Sequence, residues 1–295
     1  MTTPPNSLSE NGNSDRPNSD GGGFSIKYYC TTWAMAEMWG WDSFCQKVKE
    51  AGYDGIEGVP PATRESRELM FAAVHKYGLR FAVTCGCFEP GDYTQQSVGY
   101  KALLEDMVQL KPDFINCQTG RDHYSFEQNK VILDIADAIS RDSGIPIYHE
   151  THRSRFNFAA HITKDYLEKI PELSLTLDIS HWCNVHESML EDQQDAVSLA
   201  LSRTTHIHAR VGHHEGPQVN DPAAPEWKDI LGQHLRWWDE VVAQRIAQGQ
   251  TQLSITPEFG PPSYMPTLPY TCQPLADQWQ VNLFMFKLLK ARYSQ

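Results

Sequence analysis

From Phe24 onward, short apolar or alternating runs recur between longer stretches with helical spacing. The runs at 25–33, 55–59, 80–85, 113–118, 145–150, 173–178, 206–211 and 252–258 predict strands. The stretches at 41–52, 64–77, 96–110, 126–142, 162–170, 191–203, 226–247 and 275–292 predict helices. Strands that alternate with helices argue for parallel βα units, and their count argues for a closed α/β barrel. An open doubly wound sheet is the main competitor, but no GxGxxG fingerprint supports it.

Side chains alternate across a strand, so residues of one parity share a face. Leu173, Leu175 and Leu177 oppose Ser174, Thr176 and Asp178. Ile207, Ala209 and Val211 oppose His206, His208 and Arg210, and Leu253, Ile255 and Pro257 oppose Ser254, Thr256 and Glu258. An apolar face under helices and a polar face lining a barrel mouth produce this split. An antiparallel sheet with one wet face also alternates, but the intervening helices argue against hairpins.

Residues 1–23 are rich in Asn, Ser, Pro, Gly and Asp and cannot offset chain entropy by burial, so a disordered tail is expected ahead of a single domain at 24–295. The formal net charge of −12 and the lack of a basic run disfavour nucleic acid and anionic membranes. Seven scattered cysteines without a CxxC predict reduced thiols. Among them Cys85 and Cys87 form a CxC that packing explains. Without an apolar secretory segment or a membrane-length run, a cytoplasmic enzyme is expected.

Four of the predicted strands carry a divalent-metal ligand at or near the end: Glu150, Asp178, His208 and Glu258. Three carboxylates and an imidazole suit a hard or borderline cation with room left for substrate oxygens. Each alone has an ordinary reading, such as an Asx-turn for Asp178. Glu258 sits in an apolar strand, where an unpaired carboxylate would cost several kcal/mol. Among further candidates, Glu57 ends the second strand, either facing substrate hydroxyls or anchoring the barrel. Arg153, Arg155 and Arg210 offer forks for a carboxylate or phosphate, or neutralise the acidic cluster. Trp33 offers an apolar wall.

The chain resembles the xylose-isomerase-like barrels, in particular the sugar (phosphate) isomerase/epimerase branch. The resemblance rests on AGYDGIE at 51–57, HE at 149–150, Asp178 and His181 spaced as DxxH, His206 and His208 as HxH, and PEF at 257–259. It implies a (β/α)8 TIM barrel in which Glu150, Asp178, His208 and Glu258 bind one divalent ion, manganese before magnesium, cobalt or zinc. It also implies Glu150 and Glu258 as the catalytic pair and His181 on a substrate oxygen. Two positions depart from the ketose 3-epimerase pattern: Phe156 replaces a glutamate and His214 replaces an arginine at a substrate-binding position.

Such a site abstracts a proton beside a carbonyl and stabilises the resulting enediolate. The expected activity is a metal-dependent isomerase or epimerase of a small polyhydroxy carbonyl compound. The alternatives are a lyase or dehydratase working by β-elimination, an abasic-site endonuclease with a three-zinc cluster, and a non-catalytic binding barrel. Phe284, Met285 and Phe286 in the last helix serve either core packing or a homo-oligomer contact.

Overall fold

The computed structural model describes residues 23–86 and 92–294. Residues 1–22 of the expected tail at 1–23, and Cys87, lie outside these residues. The strands are β1 Ser25–Thr31, β2 Gly55–Gly58, β3 Arg80–Gly86, β4 Ile115–Gln118, β5 Ile147–Glu150, β6 Leu175–Leu177, β7 Thr204–His208 and β8 Gln252–Thr256. They pair in chain order and close on themselves, with β1 against β8 in the register Ile26↔Leu253. Every strand pairing is parallel, which removes the antiparallel alternative, and the β1–β8 closure removes the open sheet.

The helices are α1 Met35–Trp39, α2 Trp41–Ala51, α3 Arg64–Lys76, α4 Tyr93–Gln109, α5 Phe126–Ser143, α6 Ala160–Lys169, α7 Ser180–Val185, α8 Gln194–Ser202, α9 Lys228–Ala247 and α10 Gln278–Tyr293. Their starts are written locally. Asp92 with Gln95 and Ser125 with Gln128 form capping boxes on α4 and α5, each satisfying backbone N–H groups that lack intrahelical partners. Two elements go beyond the sequence expectation: α1 and α7 are too short for a periodic signal. Five strands, β1, β2, β6, β7 and β8, stop short of their expected C-terminal ends, so Asp178, Arg210 and Glu258 lie just past β6, β7 and β8.

Outward side chains such as Ile56, Val83, Ile115, Leu175, Ile207 and Ile255 are buried beneath the helices. Met285 and Phe286 belong to that layer, Phe286 stacking on Tyr53 at 4.0 Å between ring centres, so core packing accounts for them. Inside the barrel, Tyr29, Ala82 and Phe114 pack with Tyr148 as an apolar plug. Beneath it Arg80 pairs with Asp113 at 2.7 Å, and the Tyr29 hydroxyl donates to the same carboxylate at 2.8 Å. These groups form the floor of the barrel and leave its other end for chemistry.

Candidate active site

Parallel strands in a barrel all deliver their C-terminal ends to one mouth. Glu150 ends β5 and His208 ends β7, while Asp178 and Glu258 follow β6 and β8 directly. The structure brings these residues together: one ligand atom from each lies within 4.8 Å of the others. His208 Nδ1 is 2.9 Å from Glu258 Oε2 and 3.8 Å from Glu150 Oε1. The first distance suits an ion pair, yet Nδ1 makes no aligned hydrogen bond although it is fully buried.

The opposite nitrogen of that ring is firmly held. Glu57 lies below, buried, with Oε1 3.0 Å from His208 Nε2 and Oε2 3.0 Å from His206 Nε2. Thr84 and Thr256 donate their hydroxyls to the same carboxylate. Both oxygens are thus occupied, and Glu57 anchors the imidazoles instead of presenting an edge to substrate. A carboxylate on Nε2 holds the proton there, so it is the Nδ1 proton that a bound cation would displace. His206 Nδ1 in turn lies 2.7 Å from Ser254 Oγ.

The electrostatics follow from burial among like charges. Burial, reinforced by Glu258 and Asp178, pushes the Glu150 carboxyl up to about 7, although His208 opposes this. Asp178 is raised by burial and by Glu258, against the pull of Arg210. Burial alone would lower His208, but Glu258, Glu57 and Glu150 override it and hold the ring well above its ordinary value. Glu57 goes the other way: His206 and His208 overcome its burial and keep it well below the usual carboxylate range. Three acids gathered around an imidazole nitrogen form a donor set that could hold a divalent cation, and Glu150, Asp178, His208 and Glu258 fit one.

Arg210 enters this cluster. Its Nη2 donates to Asp178 Oδ2 and lies 2.8 Å from His181 Nε2 and 3.8 Å from Glu258 Oε2. Ser180 holds the other Asp178 oxygen from α7 through its backbone N–H and hydroxyl. Gly212 is required for this arrangement, because a Cβ there would sit 2.8 Å from Ser180 Cα. His181 is brought to the cluster, its Nδ1 buried without a partner and its ring 3.8 Å from that of His152.

Arg155 reaches the site indirectly, donating to Gln118 Oε1 at 3.3 Å beside Glu150. His214 is not brought in. It is exposed on the loop after β7, and no hydrogen bond or ion pair among the described residues joins it to the cluster. Sequence reasoning passed over Asn116, which donates to Glu150 Oε2 at 2.8 Å, and Tyr264, which carries the Arg210 guanidinium 4.7 Å from its ring centre. A polar residue inside a β4 run was the available signal for Asn116; Tyr264 lies in an irregular loop and gave none.

The mouth built by these strands defines a class of barrel enzymes. The model of the xylose isomerase-like TIM barrel family matches residues 45–236, and the chain belongs to that family. Among solved structures, it is similar to a sugar phosphate isomerase/epimerase from Parabacteroides distasonis, at 13% identity over 91% of this chain and 100% of that one, with a TM-score of 0.57. It is also similar to a probable 3-DHS dehydratase from Bacillus anthracis, at 13% identity over 90% and 99% of the two chains, with a TM-score of 0.55. At such identity the likeness is one of fold. None of the curated proteins matches the sequence significantly. Among the described residues no helix is long and apolar enough to cross a membrane.

Proposed function

We propose that the protein is a divalent-metal-dependent isomerase or epimerase that moves a proton on a carbon beside the carbonyl of a small polyhydroxy compound. One observation carries this reading: donor atoms of Glu150, Asp178, His208 and Glu258 converge within 4.8 Å of one another at the barrel mouth. Those four residues would hold the ion, manganese being the first choice among manganese, magnesium, cobalt and zinc. A divalent ion there would act as a Lewis acid on vicinal substrate oxygens and stabilise the charge left by deprotonation.

The chain supplies the rest. Glu150 Oε1 and Glu258 Oε2 lie 3.8 and 2.9 Å from His208 Nδ1, close enough to a common substrate for one carboxylate to take the proton and the other to return it. Asn116 donates to Glu150 Oε2 at 2.8 Å, and Gln118 donates to Oε1 at 3.4 Å. His181 and Arg210 bring donors to substrate oxygens, and Arg155 steadies Gln118 beside the base. The same machinery serves a dehydratase or lyase when a leaving group stands β to the abstracted proton.

Titration with manganese, followed by product analysis on a panel of ketoses and keto-sugars, tests the proposal. Wild type should bind about one equivalent, and Asp178→Asn should weaken binding about 100-fold or more with loss of turnover. A product of equal mass marks an isomerase, and an unsaturated product marks an elimination. Wild-type protein that binds none of the four metals overturns the reading.

A further inference from the structure

Beside the acidic cluster, the first turn after β5 places a guanidinium that the proton-transfer chemistry does not use. Arg153 is half-buried, and its guanidinium carbon stands 5.0 Å from the centre of the Tyr264 ring. Arg210 lies against the same ring at 4.7 Å, and Trp33 meets its edge at 5.1 Å. Arg153 makes no ion pair with any acid among the described residues, whereas Arg210 is committed to Asp178. Its charge nevertheless reaches the site, being one of the causes that lower His152 and His181. A guanidinium stacked on an aromatic face keeps its N–H fork free for two parallel hydrogen bonds to a planar or tetrahedral anion.

We propose that the substrate carries a carboxylate or phosphate at the end away from its reacting carbons, and that Arg153 receives this anion against Tyr264. The inference rests on the metal-site reading above, so manganese binding is measured first. Absence of manganese binding sinks that reading. Manganese binding without an anion preference that depends on Arg153 sinks only this one.

The probes are erythritol, D-erythronate and erythritol 4-phosphate, which share a four-carbon polyol frame and differ in charge. Each is titrated calorimetrically into manganese-loaded protein at low salt. One anion should bind about ten-fold tighter than erythritol, and Arg153→Met should erase that difference. Arg153→Lys, which keeps the charge without the fork, should retain part of it, and added salt should narrow it. Whether erythronate or the phosphate gains more identifies the anion. An anion preference undiminished in Arg153→Met means the ion alone chelates the probe, and the proposal is wrong. Equal affinity for all three probes, or binding of neither anion, overturns it as well.

Discussion

At the floor of the barrel, Tyr29, Arg80 and Asp113 satisfy one another, with Arg80 Nε donating to both the Tyr29 hydroxyl and the Asp113 carboxylate. Nearer the mouth, Asn116 Oδ1, Thr176 Oγ1, His181 Nδ1 and His208 Nδ1 are buried without hydrogen-bond partners. Buried polar atoms are ordinarily paired, so these four exceptions beside the acidic cluster mark a place where the fold has given up stability for another purpose, although Trp238 Nε1 and Arg245 Nε elsewhere also lack partners. The floor closes the barrel; the mouth stores unspent bonding capacity.

Four perturbations separate the two ends. The largest effect belongs to the floor: Phe114→Ala removes most of a ring from the plug and should cost about 3–5 kcal/mol in urea unfolding. Manganese affinity should stay within about three-fold, because His206 remains braced by Ser254 and Glu57. A parallel loss of manganese binding would show that the two ends are not separable.

Glu150→Gln should do the reverse. A carboxyl raised from an ordinary 4.5 to about 7 in the fold favours folding below 4.5, and that advantage drains away as pH rises through 7. Metal-free wild type should therefore lose up to roughly 3 kcal/mol relative to Glu150→Gln between pH 4.5 and 7. Buried His149 and His234, both lowered to about 4, lose stability in the opposite sense as pH falls from 6.5 toward 4. They are common to both proteins, so the difference between the two melting curves isolates Glu150. Identical slopes would refute the like-charge account of the mouth.

Glu57→Gln comes next, with manganese affinity expected to fall about 10–100-fold because the His208 ring loses its anchor. Unchanged affinity in calorimetry would leave Glu57 a purely structural residue. The smallest effect is expected at His214→Ala: exposed and apart from the cluster, it should leave manganese affinity within about two-fold.

The barrel was legible because its strands alternate in a way that hairpins between helices do not, and the capped helices start near where the pattern places them. The clustering of Glu150, Asp178, His208 and Glu258 was legible because the four fall at or near the ends of consecutive strands, although each alone has an ordinary reading. The misplacements have local causes. His206–Val211 alternates to its end, yet pairing stops at His208, because the Arg210 N–H turns back to the His208 carbonyl. Glu57 was ambiguous since nothing in GIE says that two histidines from β7 will reach it across the barrel. His214 drew attention by its spacing from His208, but the loop bends it outward. Tyr264 was invisible, being set by the fold of an irregular segment and not by any repeat.

Glu57 joins β2 to β7, and through Thr84 and Thr256 it also touches β3 and β8. It works as a crossbar whose length matches the bore. One methylene fewer, as in aspartate, would leave the spoke short of both rings, and no backbone shift is free to make up the difference because the sheet is closed. The imidazole at the mouth therefore inherits its aim from a residue it shares no strand with.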